Sequence, residues 1–196
     1  YGPTNYGGDG AKAGPKGTLN DHFNDIGGAS EATGNTILNF GGAAVTARAA
    51  SGITFYNQDN INVSYNTINN NNGSGVNHTH INRGIYAGNT DASNDTYNTT
   101  ISYNAITLHG GATTRELEGV YNNIMGNTST INILHNSISG DYTTATSGYF
   151  YGILSNSDGA TINISNNTVS DFSFGSADVN VTGGLYGIGV SATVCN

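Results

Sequence analysis

Alternating apolar and polar positions recur along the chain in one short phrase. In its clearest copy, from Thr161 to Val169, Ile162 and Ile164 are apolar at alternate positions, and Asn167 follows before Val169. The alternation places Ile162 and Ile164 on one face of a β-strand. Val169 follows Ile164 after an odd number of residues, so on a straight strand it would face the other way. The phrase therefore predicts two strands joined by a corner at the Asn, a residue that tolerates the left-handed backbone conformation.

This phrase repeats at a nearly fixed period. The same Asn recurs at intervals of 31, 38, 32 and 31 residues, with the faintest copy first: Asn35, Asn66, Asn104, Asn136 and Asn167. A second phrase, Gly followed by an aliphatic residue, alternates with the first and begins at Gly52, Gly84, Gly119, Gly152 and Gly187. Disordered chains and β-sandwiches also have polar, turn-rich sequences, but neither keeps two phrases at one period.

A period near thirty, made of short strands and corners, is typical of a solenoid with one turn per repeat. We predict an all-β fold, a single-stranded right-handed parallel β-helix of roughly five turns of 31–38 residues. Residues 1–30 do not fit the register and are predicted to form an N-terminal cap or irregular turn, with the β-helix repeats at 31–196.

Equivalent residues of successive turns should stack about 4.8 Å apart, the spacing of neighbouring strands. The corner positions then predict an amide ladder in which each side chain donates to one neighbour and accepts from the other: Asn66, Asn104, Asn136 and Asn167. The apolar residue two positions later predicts a buried aliphatic ladder: Ile68, Ile106, Ile138 and Val169.

The composition excludes several classes of function. The net charge is −8 and the five Lys and Arg residues are scattered singly, so we expect no nucleic-acid partner. No apolar run reaches the length of a membrane span, no cofactor motif is visible, and the single Cys195 allows no intrachain disulfide. Charged residues are only 9% of the chain, and this amide- and hydroxyl-rich composition favours an extracellular or cell-surface protein. The first residue is Tyr1 rather than Met, so we expect a piece of a longer chain.

Tyrosines supply the candidate binding residues. Tyr86 and Tyr121 follow the Gly-aliphatic phrase of adjacent turns and should point outward one above the other. Tyr151 and Tyr186 share the position just before the Gly. Stacked exposed rings can form a platform for sugar rings, and they can equally form a cross-strand ladder that stabilises the sheet. The sequence leaves both interpretations open.

Charged side chains of the middle turns are few and supply the candidate catalytic residues, should the protein be an enzyme: Arg83, Arg115, Glu116 and Glu118, with Asp91 and Asp95 nearby. If the loops of successive turns overlap, an Arg and a carboxylate could act on a uronic acid or a glycosidic bond. The same residues could simply be solubilising surface charges. His78 and His80 alternate and could share a metal, but no third ligand is evident, so no metal site is predicted.

The phrase from Ile131 to Ile138, with Gly152 and Ile153 after it, resembles the repeats of right-handed parallel β-helix proteins. That group includes pectate-lyase-like enzymes, tailspikes and many bacterial surface proteins. The Asn-rich sequence after Gly52 most resembles that of secreted surface proteins of Bacteroidota. The enzymes of the group carry carboxylate clusters with Arg, Lys or His, whereas this chain has no Lys after Lys16 and no adjacent pair of Asp residues.

The resemblance and the residues together favour a non-catalytic extracellular module with a structural or adhesive role. Its expected partners are a polysaccharide or cell-surface glycan, flanking domains of a longer chain, or other copies of itself. The alternatives are a polysaccharide lyase or glycoside hydrolase of the β-helix type and an extracellular filament subunit, since open solenoid ends can stack.

Overall fold

The computed structural model describes residues 21–42, 48–89, 96–126, 128–158, 160–175 and 182–191. Nearly all of the regular structure within them is β, and the one helix is a 3-10 turn at Glu31–Thr33. No helix among these residues is long and apolar enough to cross a membrane. The strands are β1 (Asp21–His22), β2 (Asp25–Gly27), β3 (Thr36–Leu38), β4 (Ala50–Tyr56), β5 (Gln58–Asp59), β6 (Ile61–Ser64), β7 (Thr67–Asn69), β8 (Asn82–Gly88), β9 (Thr99–Ser102), β10 (Ala105–His109), β11 (Glu116–Asn123), β12 (Thr130–Leu134), β13 (Ser137–Tyr142), β14 (Tyr149–Ser155), β15 (Thr161–Ser165), β16 (Thr168–Phe174) and β17 (Gly184–Val190).

Three five-stranded parallel sheets form the walls of a β-solenoid. The first sheet has the order β2-β6-β9-β12-β15, the second β3-β7-β10-β13-β16 and the third β4-β8-β11-β14-β17. Each turn of the coil contributes one strand to each sheet, which confirms the predicted all-β solenoid. Five strands are separated by four steps, so the coil makes about four turns rather than the expected five.

The amide ladder lies inside the corner between the first and second sheets. Nδ2 of Asn66 donates to Oδ1 of Asn104, Asn104 to Asn136, and Asn136 to Asn167, each at 2.9 Å. The main-chain N–H of each donor residue bonds to the same Oδ1 at 2.9–3.0 Å. Asn35 extends the ladder by donating to Asn66 at 3.1 Å. The predicted stacking of Asn side chains is confirmed. Oδ1 of Asn104, Asn136 and Asn167 each accepts from both the main-chain N–H and the side-chain amide of the Asn one turn earlier.

The corner itself differs from the prediction in one respect. The left-handed backbone conformation belongs to the residue before each ladder Asn: Tyr65 (φ 58°), Tyr103 (55°), His135 (56°) and Asn166 (56°). Assigning it to the Asn was wrong. A left-handed residue breaks the period-two alternation of the strand, so the Asn that follows can turn its amide inward to the ladder. The side chain of the left-handed residue points outward instead.

The aliphatic ladder lines the inner face of the second sheet. Ile68 pairs with Ile106, Ile106 with Ile138, and Ile138 with Val169. The three Ile side chains are 0–1% exposed, whereas Val169 in the last turn is only partly buried. Stacking therefore removes nearly all of the solvent-exposed area of the three Ile side chains. Val169, in the last turn, retains part of its exposed area.

The strands of the third sheet pass close to this aliphatic ladder, which explains why the second phrase begins with Gly. A Cβ on Gly84 would lie 2.5 Å from both the carbonyl oxygen of Gly119 and Cγ2 of Ile106. A Cβ on Gly119 would lie 2.4 Å from the carbonyl oxygen of Gly152 and 2.6 Å from Cγ2 of Ile138. Real Cβ atoms do not approach other atoms so closely, so the two phrases interlock across the interior at each turn.

The segment before residue 31 already contains strands of the solenoid. β1 pairs with β5, and β2 pairs with β6 as the first strand of the first sheet. Residues 1–20 lie outside the described part of the chain, so the predicted cap at residues 1–30 stays a prediction.

Candidate functional site

The outer face of the third sheet gathers most of the candidate functional residues. Strand pairing places one outward column at Ser51, Arg83, Glu118, Tyr151 and Tyr186. A second outward column contains Thr54, Tyr86, Tyr121, Leu154 and Gly189. The columns lie three residues apart because two consecutive residues, such as Gly84 and Ile85, are both buried between them. We define the tyrosine face as Tyr56, Tyr86, Tyr121, Tyr149, Tyr151 and Tyr186 with Arg83 and Glu118.

Three rings form one end of the tyrosine face. The centroids of Tyr86 and Tyr121 lie 5.3 Å apart at an interplanar angle of 32°. Tyr56 meets Tyr86 edge to face at 5.4 Å. The guanidinium carbon of Arg83 lies 4.7 Å from the centroid of Tyr86 and 5.1 Å from that of Tyr121, within the range of a cation–π contact.

Three further rings form the other end. Tyr151 and Tyr186 are stacked at 5.0 Å with an interplanar angle of 13°. Tyr149 lies 6.2 Å from each of them. Tyr186 is 45% exposed and Tyr56, at the opposite end of the face, is 44% exposed. The face therefore presents accessible aromatic surface at both ends.

A closed ion pair lies between the two groups of rings. Nε of Arg83 donates to Oε2 of Glu118, one turn away in the same column. The Arg83 side chain is 16% exposed and that of Glu118 only 4%. Burial raises the pKa of the Glu118 carboxyl, and the charge of Arg83 acts in the opposite direction. Arg83 and Glu118 are therefore each engaged by a charged partner within the protein.

The remaining candidate catalytic residues are less closely associated. Glu116 opens β11 opposite Tyr149, two positions before Glu118 on the same side of the strand. Arg115 is exposed in the preceding loop, and its carbonyl accepts a 2.6 Å hydrogen bond from Oη of Tyr142. The structure thus brings Arg83 and Glu118 into contact, whereas Arg115 lies in the loop at the start of β11. Asp91 and Asp95 lie outside the described residues.

The two histidines of the loop before β8 have different surroundings. His78 is buried, with Nδ1 2.8 Å from the carbonyl of Gly42 and Nε2 2.9 Å from the carbonyl of Arg48. Main-chain groups therefore occupy both of its ring nitrogens. Burial, and secondarily the charge of Arg115, lowers the pKa of His80. Across the described ranges, no three His, Cys, Asp or Glu side chains gather closely enough to hold a metal ion.

A second aromatic column was not predicted from the sequence. Tyr65 and Tyr103 stack at 4.9 Å and 3°, and Tyr103 and His135 at 4.8 Å and 2°. These are the left-handed corner residues, so their rings project outward, and each ring stacks on that of the next turn. The sequence does contain a signal for this column, because an aromatic residue immediately precedes three successive Asn residues of the ladder. Tyr56 and Tyr149 of the tyrosine face were likewise missed, because they lie outside the Gly-aliphatic phrase.

Comparisons of the chain with protein-family models, with curated proteins and with solved structures gave no match. The solenoid fold is shown by the strand pairing itself, and the resemblance to β-helix surface proteins rests on the repeat phrases. A functional assignment must therefore come from the side chains that this fold presents and from their geometry.

Proposed function

We propose that this protein is a non-catalytic surface or adhesion module of a secreted bacterial protein, and that its tyrosine face contacts glycans. The observation that carries the proposal is the gathering of six tyrosines on the outward side of one sheet, around an ion pair that is already closed. The low content of charged residues in the chain, 9%, supports an extracellular location.

The chemistry of a tyrosine suits a sugar ring. Its apolar faces pack against the C–H groups of a pyranose, and its hydroxyl can exchange hydrogen bonds with sugar hydroxyls. These rings stand on strands and are held by their neighbours, as in the 5.0 Å stack of Tyr151 on Tyr186. Such rings have little conformational freedom left to lose when a ligand binds.

The charge of the face favours a neutral glycan over an acidic one. Arg83 is engaged by Glu118 and by two tyrosine rings, so it offers no free cation to a uronic acid. The net charge of −8 also repels polyanions. We therefore expect binding to neutral polysaccharides, with little dependence on salt concentration.

The test is retention of the protein on insoluble or immobilised neutral polysaccharides (cellulose, xylan, mannan) and acidic ones (pectate, alginate). The double variant Tyr151→Ala/Tyr186→Ala removes two rings, each contributing about 0.5–1.5 kcal/mol, so affinity should fall about 5- to 150-fold. The matched control is Tyr103→Ala, which removes a 45% exposed ring from the corner column and should leave binding unchanged. Equal losses in the two variants, or retention on none of the five polysaccharides, would contradict the proposal.

A second candidate, glycoside hydrolysis, is favoured by one observation. Glu118 is a buried carboxyl with a raised pKa, as a general acid requires, and Glu116 lies on the same face of β11. Their Cα atoms are separated by two residues along a strand, about 6.6 Å, and glycoside hydrolases use a pair of carboxyl groups that flank the scissile bond. New reducing ends in the same incubations, lost in Glu118→Gln but kept in Glu31→Gln, would replace the binding proposal with this one.

A further inference from the structure

The tyrosine face consists of two separate groups of rings. The first ring group is Tyr56, Tyr86 and Tyr121, joined by centroid distances of 5.3 and 5.4 Å. The second ring group is Tyr149, Tyr151 and Tyr186, joined by distances of 5.0 and 6.2 Å. All six residues are at least partly exposed. Within the described part of the chain, no ring of one group contacts a ring of the other.

Strand pairing explains this separation. Tyr86 and Tyr121 lie in the second outward column, on β8 and β11, whereas Tyr151 lies in the first outward column, on β14. The aromatic positions therefore change column between β11 and β14, and the two groups lie obliquely across the sheet. One strand spacing of about 4.8 Å and three residues of about 3.3 Å each place the Cα atoms of Tyr121 and Tyr151 about 11 Å apart. Tyr86 and Tyr149 are two strands and five residues apart, which corresponds to about 19 Å.

The ion pair packs beside the first ring group. Arg83 and Glu118 lie in the first outward column, the column that Tyr151 occupies one turn later. The guanidinium carbon of Arg83 is 4.7 Å from the ring centroid of Tyr86 and 5.1 Å from that of Tyr121. Its Nε donates to Glu118, so this contact orients the two rings without a ligand.

A ligand that contacts both groups must be long and nearly straight. A pyranose unit of a linear chain is similar in length to the spacing of neighbouring strands, about 4.8 Å. One or two sugars can therefore cover one group, whereas the distance from Tyr86 to Tyr149 requires about four. Both groups lie on the outer face of one sheet, so a chain that coils would move away from the second group after contacting the first. A β-1,4-linked chain is an extended ribbon and can stay in contact with both.

We propose that the tyrosine face binds a linear, extended neutral polysaccharide, such as a β-1,4-linked glucan or mannan, as a chain that crosses the sheet obliquely and contacts both ring groups at once. This inference rests on the glycan contact proposed above, and it adds the shape, the minimum length and the direction of the ligand. A short or coiled glycan would contact only one group.

The gain in affinity follows from the number of rings. A chain that already contacts one group reaches the second without a new association step, because both contacts belong to one molecule. The second contact adds at least two rings. A hexasaccharide should therefore bind about 5- to 150-fold more tightly than a disaccharide of the same sugar.

The experiment is isothermal titration calorimetry of the 196-residue chain with β-1,4-linked oligosaccharides of glucose and of mannose, from two to six units long. Affinity should increase with length up to about four to six units, where the ligand spans both groups. The comparison ligand is the α-1,4-linked hexasaccharide of glucose, which has the same composition but coils. It should bind no more tightly than the disaccharide.

Two double variants separate the groups. Tyr86→Ala/Tyr121→Ala and Tyr149→Ala/Tyr151→Ala should each lower the affinity for the hexasaccharide by about 5- to 150-fold. A disaccharide can still use the remaining group, so its affinity should change by about two-fold at most. Tyr86→Leu/Tyr121→Leu keeps apolar volume on the sheet while removing the flat rings, and it should behave like the Ala pair. Tyr103→Ala is the control, and circular dichroism checks that each variant is folded.

The results that would overturn this inference differ from those that would overturn the binding proposal. Equal affinities for disaccharide and hexasaccharide, or a loss in only one of the two double variants, would place the ligand on a single group. Either result would contradict the extended chain and leave glycan contact standing. Tighter binding of the coiled hexasaccharide would contradict it in the same way. Failure to bind any oligosaccharide or polysaccharide would overturn both proposals.

Discussion

Replacing Asn104 by Ala removes the centre of the amide ladder. The Asn104 side chain is 1% exposed, and its Oδ1 accepts from both N and Nδ2 of Asn66 at 3.0 and 2.9 Å. Its Nδ2 donates to Oδ1 of Asn136 at 2.9 Å, and to the carbonyls of Val63 and Ser102 at 2.9 and 3.1 Å. Two amide hydrogens serve these three acceptors, so the substitution eliminates about four full hydrogen bonds.

The expected loss of stability follows from these contacts. Each hydrogen bond contributes about 1 kcal/mol net, and a buried donor left without an acceptor costs about 1–3 kcal/mol. The main-chain N–H of Asn66 becomes such a donor, because Oδ1 of Asn104 is the acceptor it uses. We expect the free energy of unfolding to fall by about 3–5 kcal/mol. For a chain of this length, a loss of that size lowers Tm by about 6–20 °C.

The assay is thermal and urea-induced unfolding followed by circular dichroism. The matched control is Asn163→Ala, since Asn163 is exposed on a strand and donates one side-chain bond, 2.8 Å to Asn132. Its effect should stay within about 0.5 kcal/mol. Equal decreases in Tm for Asn104→Ala and Asn163→Ala would show that the buried ladder does not contribute the expected stability.

Two further predictions concern the third sheet. Gly119→Ala forces a Cβ to 2.4 Å from the carbonyl of Gly152 and should cost about 2–4 kcal/mol in urea unfolding, whereas Gly187→Ala, with no atom within 4 Å, should be tolerated. Similar losses in both would refute this. Burial raises the pKa of Glu118 despite Arg83, so the folded state binds this proton more tightly than the unfolded chain. The free energy of unfolding of the unmodified protein, relative to that of Glu118→Gln, should therefore increase as pH falls through the raised pKa towards 4.5. A difference between the two proteins that does not change with pH would contradict this prediction.

The amide ladder could be predicted from sequence because its contacts are repeats of one local arrangement. A fixed interval of about thirty residues specifies which Asn lies above which, and parallel strands at about 4.8 Å bring their amides within hydrogen-bonding distance. The outward stacking of Tyr86 on Tyr121 followed from the same rule. The role of the preceding residue did not, because the alternation shows only that a corner exists. Whether Tyr103 or Asn104 takes the left-handed conformation depends on which side chain the interior can satisfy.

The period, the order of strands and corners, and the residues that stack from turn to turn could all be predicted from the chain, since they follow from spacing along it. The contacts across the interior and across the outer face became visible only in the folded molecule. It placed Gly119 against Ile138, paired Arg83 with Glu118, and added Tyr56 and Tyr149 to the aromatic face. Those relations depend on the shape of the cross-section and the angles between three sheets, which a linear repeat does not encode.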